Sequence, residues 1–201
     1  MKNLVVTGGI ATGKSTFIRH LMRLGGTRLH FFDCDAEVGK LLDGGRLADG
    51  LARAFGPRSI DPAGRADRAF LRQLVFGNPD CRKRLEGMIH PLLHQECLAQ
   101  MQAARQNAGT DGFVIDVPLF FETAAHYHQD AVCVVAVSRE TQKTRLALRN
   151  GFRDEMIEAM LAAQAPIMEK AARADFVIWN EGPLSLLQCQ TQRLYQHFFH
   201  D

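Results

Sequence analysis

Four short apolar runs punctuate the chain, at residues 4–6, 113–117, 131–137 and 176–179, with a weaker fifth at 29–32. Each is rich in β-branched or aromatic residues and runs continuously rather than alternating. That is the pattern of parallel strands covered on both faces. Segments of helical period lie between the runs, so the pattern predicts a doubly wound α/β fold. About 80 residues separate the run at 29–32 from Phe113, far more than one crossover helix needs. Within that stretch Leu85, Met88, Ile89, Leu92 and Leu93 share one helix face. Pro91 falls inside the stripe and predicts a kink, or a new helix with Pro91 in its first turn. Gly109 is expected to end the segment. Residues 36–112 therefore read as a helical insertion, of the kind that commonly builds a binding pocket beside a rigid sheet. Gly182 and Pro183 open a last helix, with Leu187, Thr191, Leu194, Tyr195 and Phe198 on one packing face.

Composition narrows the class. The 201 residues are 46% apolar, enough for a core, and fit one domain with an insertion. No apolar run reaches the length of a membrane span, and the run after Met1 is too short for a signal peptide. A cytoplasmic protein is expected, with no membrane partner. The net charge of +2 predicts no nucleic-acid partner. Five cysteines, none in a C-x-x-C pair, read as reduced and mostly buried thiols. Only six of the 24 cations are lysine. Arginine forks suit phosphate oxygens, although a codon bias gives the same excess.

One motif carries chemistry by itself. Gly8-Gly9-Ile10-Ala11-Thr12-Gly13-Lys14-Ser15 matches G-x-x-x-x-G-K-[ST], the phosphate loop of P-loop NTPases, between an apolar strand and the helical segment from Thr16 onward. Its glycines let successive N–H groups aim inward, and the helix N-terminus adds positive potential. Gly9, Ala11, Thr12, Gly13, Lys14, Ser15 and Thr16 are the expected ATP-binding residues. Lys14 is expected to reach the β- and γ-phosphates, and the Ser15 hydroxyl to ligate Mg²⁺. Asp116 ends the apolar run at 113–115, like the acidic strand end that holds Mg²⁺ in such sites. The alternative is a hydrogen-bonded structural aspartate. No N-K-x-D guanine reader occurs, and the small size with helical material between strands two and three points to a small-molecule kinase.

At this point a resemblance emerges. Thr7 through Thr16, Asp33-Cys34-Asp35, Leu71-Arg72 with Val75-Phe76 and Asn78-Pro79, Ile89-His90-Pro91-Leu92, Asp116 through Glu122, Ala162-Ala163-Gln164 and Ala174 through Ile178 resemble the dephospho-CoA kinases. The resemblance runs almost end to end. It implies a five-stranded parallel sheet with flanking helices, a core of about 1–35, 113–139 and 174–201, a helical acceptor-binding insertion of about 36–112 and a lid of about 140–173. It implies ATP-dependent phosphorylation of the ribose 3′-hydroxyl of dephospho-CoA, the last step of coenzyme A synthesis, with ATP and Mg²⁺, by a monomer or weak homo-oligomer. The rivals are another P-loop small-molecule or nucleotide kinase, and a non-catalytic nucleotide-binding regulator.

The resemblance also distributes roles. Asp35, just past the second strand, becomes the base for the attacking hydroxyl and a catalytic residue beside Lys14. Helix N-capping is its alternative role, and Asp33 competes for both. Arg145, Arg149 and Arg153 are spaced by four, with Gly151 expected to break their helix. Arg149 is favoured as the lid arginine on the phosphates. Arg68, Arg72, His90, Pro118 and Glu122 would face the CoA precursor, although His90 alternatively caps a helix beginning at Pro91. Asn180 would touch the adenine, or serve as a turn residue. The chain departs from the family pattern at Gly39, where an arginine is usual, and at Trp179, where an acid is usual.

Overall fold

The computed structural model describes residues 1–123 and 125–200. In chain order the elements are β1 (Lys2–Gly8), α1 (Lys14–Gly25), β2 (Leu29–Asp33), α2 (Cys34–Asp43), α3 (Ala48–Phe55), α4 (Arg68–Val75), α5 (Pro79–Arg105), β3 (Gly112–Asp116), α6 (Phe120–Thr123), β4 (Ala131–Ala136), α7 (Arg139–Asn150), α8 (Asp154–Ala162), α9 (Ile167–Ala172), β5 (Phe176–Trp179) and α10 (Leu184–Phe199). They form two compact units, one of residues 1–32 with 103–201 and one of residues 33–102. The second unit starts three residues before the expected insertion and ends ten before its expected end.

The first unit holds a five-stranded sheet of order β2-β3-β1-β4-β5. β1 is parallel to β3, with Leu4 opposite Val114, and to β4, with Leu4 opposite Ala131. β1, β3 and β4 are buried almost throughout, which is why they read as unbroken apolar runs. Alternate residues serve opposite faces. Leu4, Val6, Cys133 and Val135 pack with Phe17, Ile18 and Leu21 of α1 and with Leu187, Leu194 and Phe198 of α10. Val134 and Ala136 turn the other way, toward Ile167 of α9. The stripe expected on the last helix is the buried face of α10, Thr191 included. β5 was expected to be buried but is an edge strand, with Val177 and Trp179 exposed. Its apolar run therefore marks an edge and not a core strand.

From β1 the chain departs toward one edge of the sheet, and from β4 toward the other. Their carboxyl ends are thus a topological switch point, where such sheets bind ligands. A Cβ on Gly8 there would fall 2.5 Å from the Val135 carbonyl oxygen, so only glycine lets the two strand ends lie this close.

The second unit is helical. α5 is one 27-residue helix with Pro91 inside it. The expected restart at Pro91 does not occur, and His90 lies within the helix instead of capping one. A proline ring presses on the carbonyl four residues earlier, and that residue is Gly87, the most permissive backbone available. The helix ends at Arg105, four residues before Gly109.

Candidate active site

The loop from β1 to α1 turns on two residues of positive φ, Ala11 at 61° and Gly13 at 90°. Gly13 is the N-cap of α1, and its carbonyl accepts the Thr16 and Phe17 N–H groups at 3.0 and 3.1 Å. A Cβ at Gly13 would strike the Asn180 amide, so glycine is required twice over, for angle and for space. A helix start leaves its first N–H groups unpaired, and those of Ala11, Gly13, Lys14 and Ser15 have no acceptor among the described residues. They belong to the wall of a cavity of about 330 Å³ lined by residues 8–16 with Pro118, Arg149 and Gln164. Donors on a helix N-terminus around a pocket of this size suit an anion.

Lys14 and Arg149 bring positive charge to this wall. The Lys14 ammonium is ion-paired with Asp116, the residue that ends β3 beside Val6 of β1. Their side chains are only 14% and 12% exposed. Ser15, in the first turn of α1, lines the same cavity. Ser15 Oγ and the Asp116 carboxylate are hard oxygen donors of the kind Mg²⁺ takes together with phosphate oxygens, so the residues present fit that ion.

The loop is held by side chains from several elements. The Thr12 hydroxyl donates to the Gly9 carbonyl at 2.9 Å. The Asn180 amide donates to the Thr12 carbonyl at 2.9 Å, and the Asn180 carbonyl accepts from Arg145 at 2.9 Å. Arg145 reaches the Ala11 and Thr12 carbonyls as well, each at 3.3 Å. Gln142 donates to the Ile10 carbonyl at 2.7 Å, and Gln164 accepts the Ile10 N–H at 3.0 Å. Arg145 is thus committed to the loop backbone and Arg149, one turn later, is not. α7 stops at Gly151 as the sequence led us to expect, with Gly151 in the left-handed region, and Arg153 is the exposed N-cap of α8. The three arginines therefore do not form one stripe. Arg149 lines the cavity at the loop and an adjoining one of about 560 Å³, whose walls include Gly13, Leu148, Asn180 and Leu184. That second cavity has the apolar walls and few polar groups that a nucleobase requires.

The start of α7 is fixed by Glu181. Its carboxylate accepts from the Ser138 N–H and from the Thr141 hydroxyl. Bonds from Ser138, then from Thr141, hold the Glu181 carboxyl below the ordinary carboxylate range.

Pro118 lines the cavity at the loop, and its carbonyl accepts from the buried Thr7 hydroxyl at 3.3 Å. Glu122 does not stand free. Its Oε1 accepts from Lys170 at 2.6 Å and from the Ala165 N–H at 3.0 Å. Burial raises the Glu122 carboxyl, but the Lys170 and Ala165 bonds outweigh it and the pKa lies below its ordinary value. Lys170 is 1% exposed and also donates to the Gly8 carbonyl at 3.3 Å. The sequence reading assigned no role to Gln142, Gln164 or Lys170. Lys170 did leave a signal: three residues after Ile167, it falls on the apolar face of α9.

The remaining candidates belong to the second unit. Asp33 is the N-cap of α2, its carboxylate accepting the Ala36 N–H at 3.0 Å. Asp35 is therefore not the cap; it is exposed in the first turn of α2. Arg68 lies against α2, donating to the Gly39 carbonyl at 2.7 Å and to Asp43 at 2.8 Å. Its guanidinium would be 3.3 Å from a Cβ at position 39, so the glycine there makes room for it. Arg72 on α4 and His90 on α5 are exposed. Among the described residues no helix is long and apolar enough to cross a membrane.

Three comparisons with known proteins agree with this geometry. The family profile described as dephospho-CoA kinase matches residues 3–185. The dephospho-CoA kinase of Symbiobacterium thermophilum is 38% identical over 197 residues, covering 98% of this chain and 81% of the relative. That of Geobacillus kaustophilus is 40% identical over 178 residues, covering 88% and 87%. The solved dephospho-CoA kinase from Campylobacter jejuni superposes with a TM-score of 0.76 at 30% identity, over 100% of this chain and 98% of that one. A shikimate kinase from Acinetobacter baumannii, at 18% identity and a TM-score of 0.53 over 100% and 94%, shares the fold. With a family match over nearly its whole length and relatives well above 30% identity, the chain belongs to the dephospho-CoA kinase family.

Proposed function

We infer that the chain performs the dephospho-CoA kinase reaction as follows: the γ-phosphoryl group of ATP passes to the ribose 3′-hydroxyl of dephospho-CoA, giving coenzyme A and ADP. The β- and γ-phosphates lie in the loop of residues 8–15, against the unpaired N–H groups and the Lys14 ammonium. Arg149 approaches the same phosphates from the end of α7 and offsets charge that develops during transfer. The adenine occupies the neighbouring cavity, with Asn180 and Gly13 in its wall. Ser15 and Asp116 would hold Mg²⁺, which would supply charge neutralisation when bound.

Asp35 takes the proton of the attacking hydroxyl. The support is local: Asp33 does the capping, so the exposed Asp35 carboxylate is left free of the capping bond. Arg68, Arg72 and His90 bind the acceptor, whose pyrophosphate calls for cations. A cytoplasmic monomer or weak homo-oligomer completes the reading.

The observation that carries the nucleotide half is the Lys14 ammonium set among unpaired N–H groups in one cavity wall. The experiment is ADP release with dephospho-CoA, shikimate or a nucleoside monophosphate as acceptor, with mass analysis of the product. Turnover is expected with dephospho-CoA alone, adding one phosphoryl group at the 3′-position. Turnover with another acceptor and none with dephospho-CoA would overturn the substrate assignment.

A further inference from the structure

Lys170 is among the largest fully buried side chains of the protein. A lysine is almost never fully buried unless paired, and an apolar chain of similar length would fill the same space without dehydrating a charge. Packing alone therefore does not account for an ammonium here. Two acceptors do: Glu122 Oε1 at 2.6 Å and the Gly8 carbonyl at 3.3 Å. Gly8 is the first residue of the phosphate loop.

The contacts continue along the loop. The Glu122 oxygen that meets Lys170 also accepts the Ala165 N–H. Ala165 follows Gln164, which accepts the Ile10 N–H, and Gln142 grips the Ile10 carbonyl. Leu146, Ile157 and Leu161 of α7 and α8 pack with Ile10 and Ala11 of the loop. The first half of the loop is thus clamped at Gly8 and at Ile10 by segments far away in sequence. A trans peptide is planar, with its C=O and N–H pointing in opposite directions. A group that pins the Gly8 carbonyl therefore also aims the Gly9 N–H, and one that pins the Ile10 carbonyl aims the Ala11 N–H.

We propose that Lys170, oriented by Glu122, is a positioning residue for the phosphate loop. By holding the Gly8 carbonyl it fixes the Gly8–Gly9 peptide, and with Gln142 and Gln164 it keeps the loop in its phosphate-binding form before nucleotide arrives. Glu122 then serves the ATP side of the reaction through Lys170, and not the acceptor. The proposal rests on the reading of residues 8–15 as the nucleotide-phosphate loop.

A double variant separates positioning from charge balance. Glu122→Gln with Lys170→Met removes both charges together, so neither is left buried alone. We expect its Tm within about 4 °C of wild type, its affinity for an ATP analogue and its KM for ATP roughly tenfold weaker, and its KM for dephospho-CoA unchanged. Lys170→Arg, which keeps a donor and a charge, should recover most of the ATP affinity. Glu122→Asp carries the same test should the double variant not fold. It keeps both charges but draws the ammonium back by one methylene, so positioning predicts weaker ATP binding and charge balance predicts none. Wild-type Tm and wild-type ATP affinity in the double variant would overturn the proposal, as would undiminished ATP affinity in Glu122→Asp. If the wild-type protein itself binds no ATP, the reading of the loop fails and the proposal with it. If wild type binds ATP and the variants bind it equally, the proposal fails alone.

Discussion

The Lys14 ammonium rests on the Asp116 carboxylate, joining the first turn of α1 to the end of β3. Both side chains are mostly shielded from water, so each offsets the other's dehydration. The proposed reaction asks both groups to change partner. The ammonium exchanges the carboxylate for phosphate oxygens, and the carboxylate exchanges the ammonium for magnesium and its waters. On the proposed reading the nucleotide and the cation would compete with one internal ion pair, and each would relieve the charge that the other's arrival exposes.

That competition has a sign. Asp116→Asn removes the internal rival for Lys14 and a negative charge near the phosphates. ATP without magnesium should bind this variant at least as tightly as wild type, while kcat falls about 100-fold. Lys14→Met should weaken ATP binding and lower kcat by about 10²–10³. Calorimetry with and without magnesium, alongside steady-state rates, measures both. Weaker magnesium-free binding in Asp116→Asn would contradict the competition.

Asp33 and Asp35 should separate by phenotype. Asp33→Ala removes the cap of α2 and should cost about 1 kcal/mol of stability, a fall in Tm of roughly 2–4 °C, with most activity retained. Asp35→Asn should melt like wild type and bind ATP like wild type, yet lose about 10²–10⁴ in kcat. Thermal melts and initial rates on the two variants decide it. The assignment is reversed if Asp33→Ala is the inactive one and Asp35→Asn turns over normally.

The features legible in the sequence are the ones fixed by near neighbours. A buried parallel strand writes itself as an apolar run, so β1, β3 and β4 were visible. A packing helix writes a stripe, so the buried face of α10 was visible too, and the phosphate loop is eight consecutive residues. Of the two outcomes expected at Pro91, the restart does not occur, because the effect of a proline depends on the backbone it meets, here Gly87. The apolar run of β5 could not tell an edge strand from a central one, because that depends on which strands flank it. Gln142, Gln164 and Lys170 grip Ile10 and Gly8 across more than 130 positions of chain. Their side chains carry no local pattern that names such a partner. Asp33 and Asp35 lay between these cases: the motif was plain, and only the hydrogen bond to Ala36 shows which of the two caps the helix.

Thiol chemistry offers an independent check of the packing. Cys189 is exposed and Cys81 half-buried, whereas Cys34, Cys97 and Cys133 are buried. Burial pushes the Cys97 thiol up to about 12, and it raises Cys133 as well. The thiolate is the reacting form. Near pH 8 an aromatic disulfide reagent should therefore label Cys189 quickly and Cys81 more slowly, and the other three only in denaturant. Mass mapping of the labelled peptides tests this. Rapid native labelling of Cys133 would be incompatible with its place in the sheet.

The Glu122–Lys170 pair should make itself felt in acid. Several surface carboxyls are also held below their ordinary values, among them Asp61, Asp111, Glu158 and Glu181. Acid destabilisation of the wild type alone thus identifies no single group, and a difference between variants is needed. Because the folded-state pKa of Glu122 is depressed, its contribution is complete above its ordinary value of 4.5 and disappears as pH falls through the lower, folded value. Glu122→Gln leaves Lys170 facing a neutral amide at every pH. Removing one partner of a fully buried pair costs about 3–5 kcal/mol; with the Glu122 side chain 19% exposed and partly screened, we expect about 2 kcal/mol near neutrality. Protonated Glu122 is as neutral as glutamine, so the gap between the two proteins should close as pH falls below 4.5 and through the lower, folded value. The Glu122→Gln, Lys170→Met double variant has neither charge, and should gain on the wild type over that same interval. Thermal melts of the three proteins from pH 7 downward measure these differences, and a wild-type-to-Glu122→Gln gap that stays constant into acid would mean that the carboxylate does not hold the ammonium in solution.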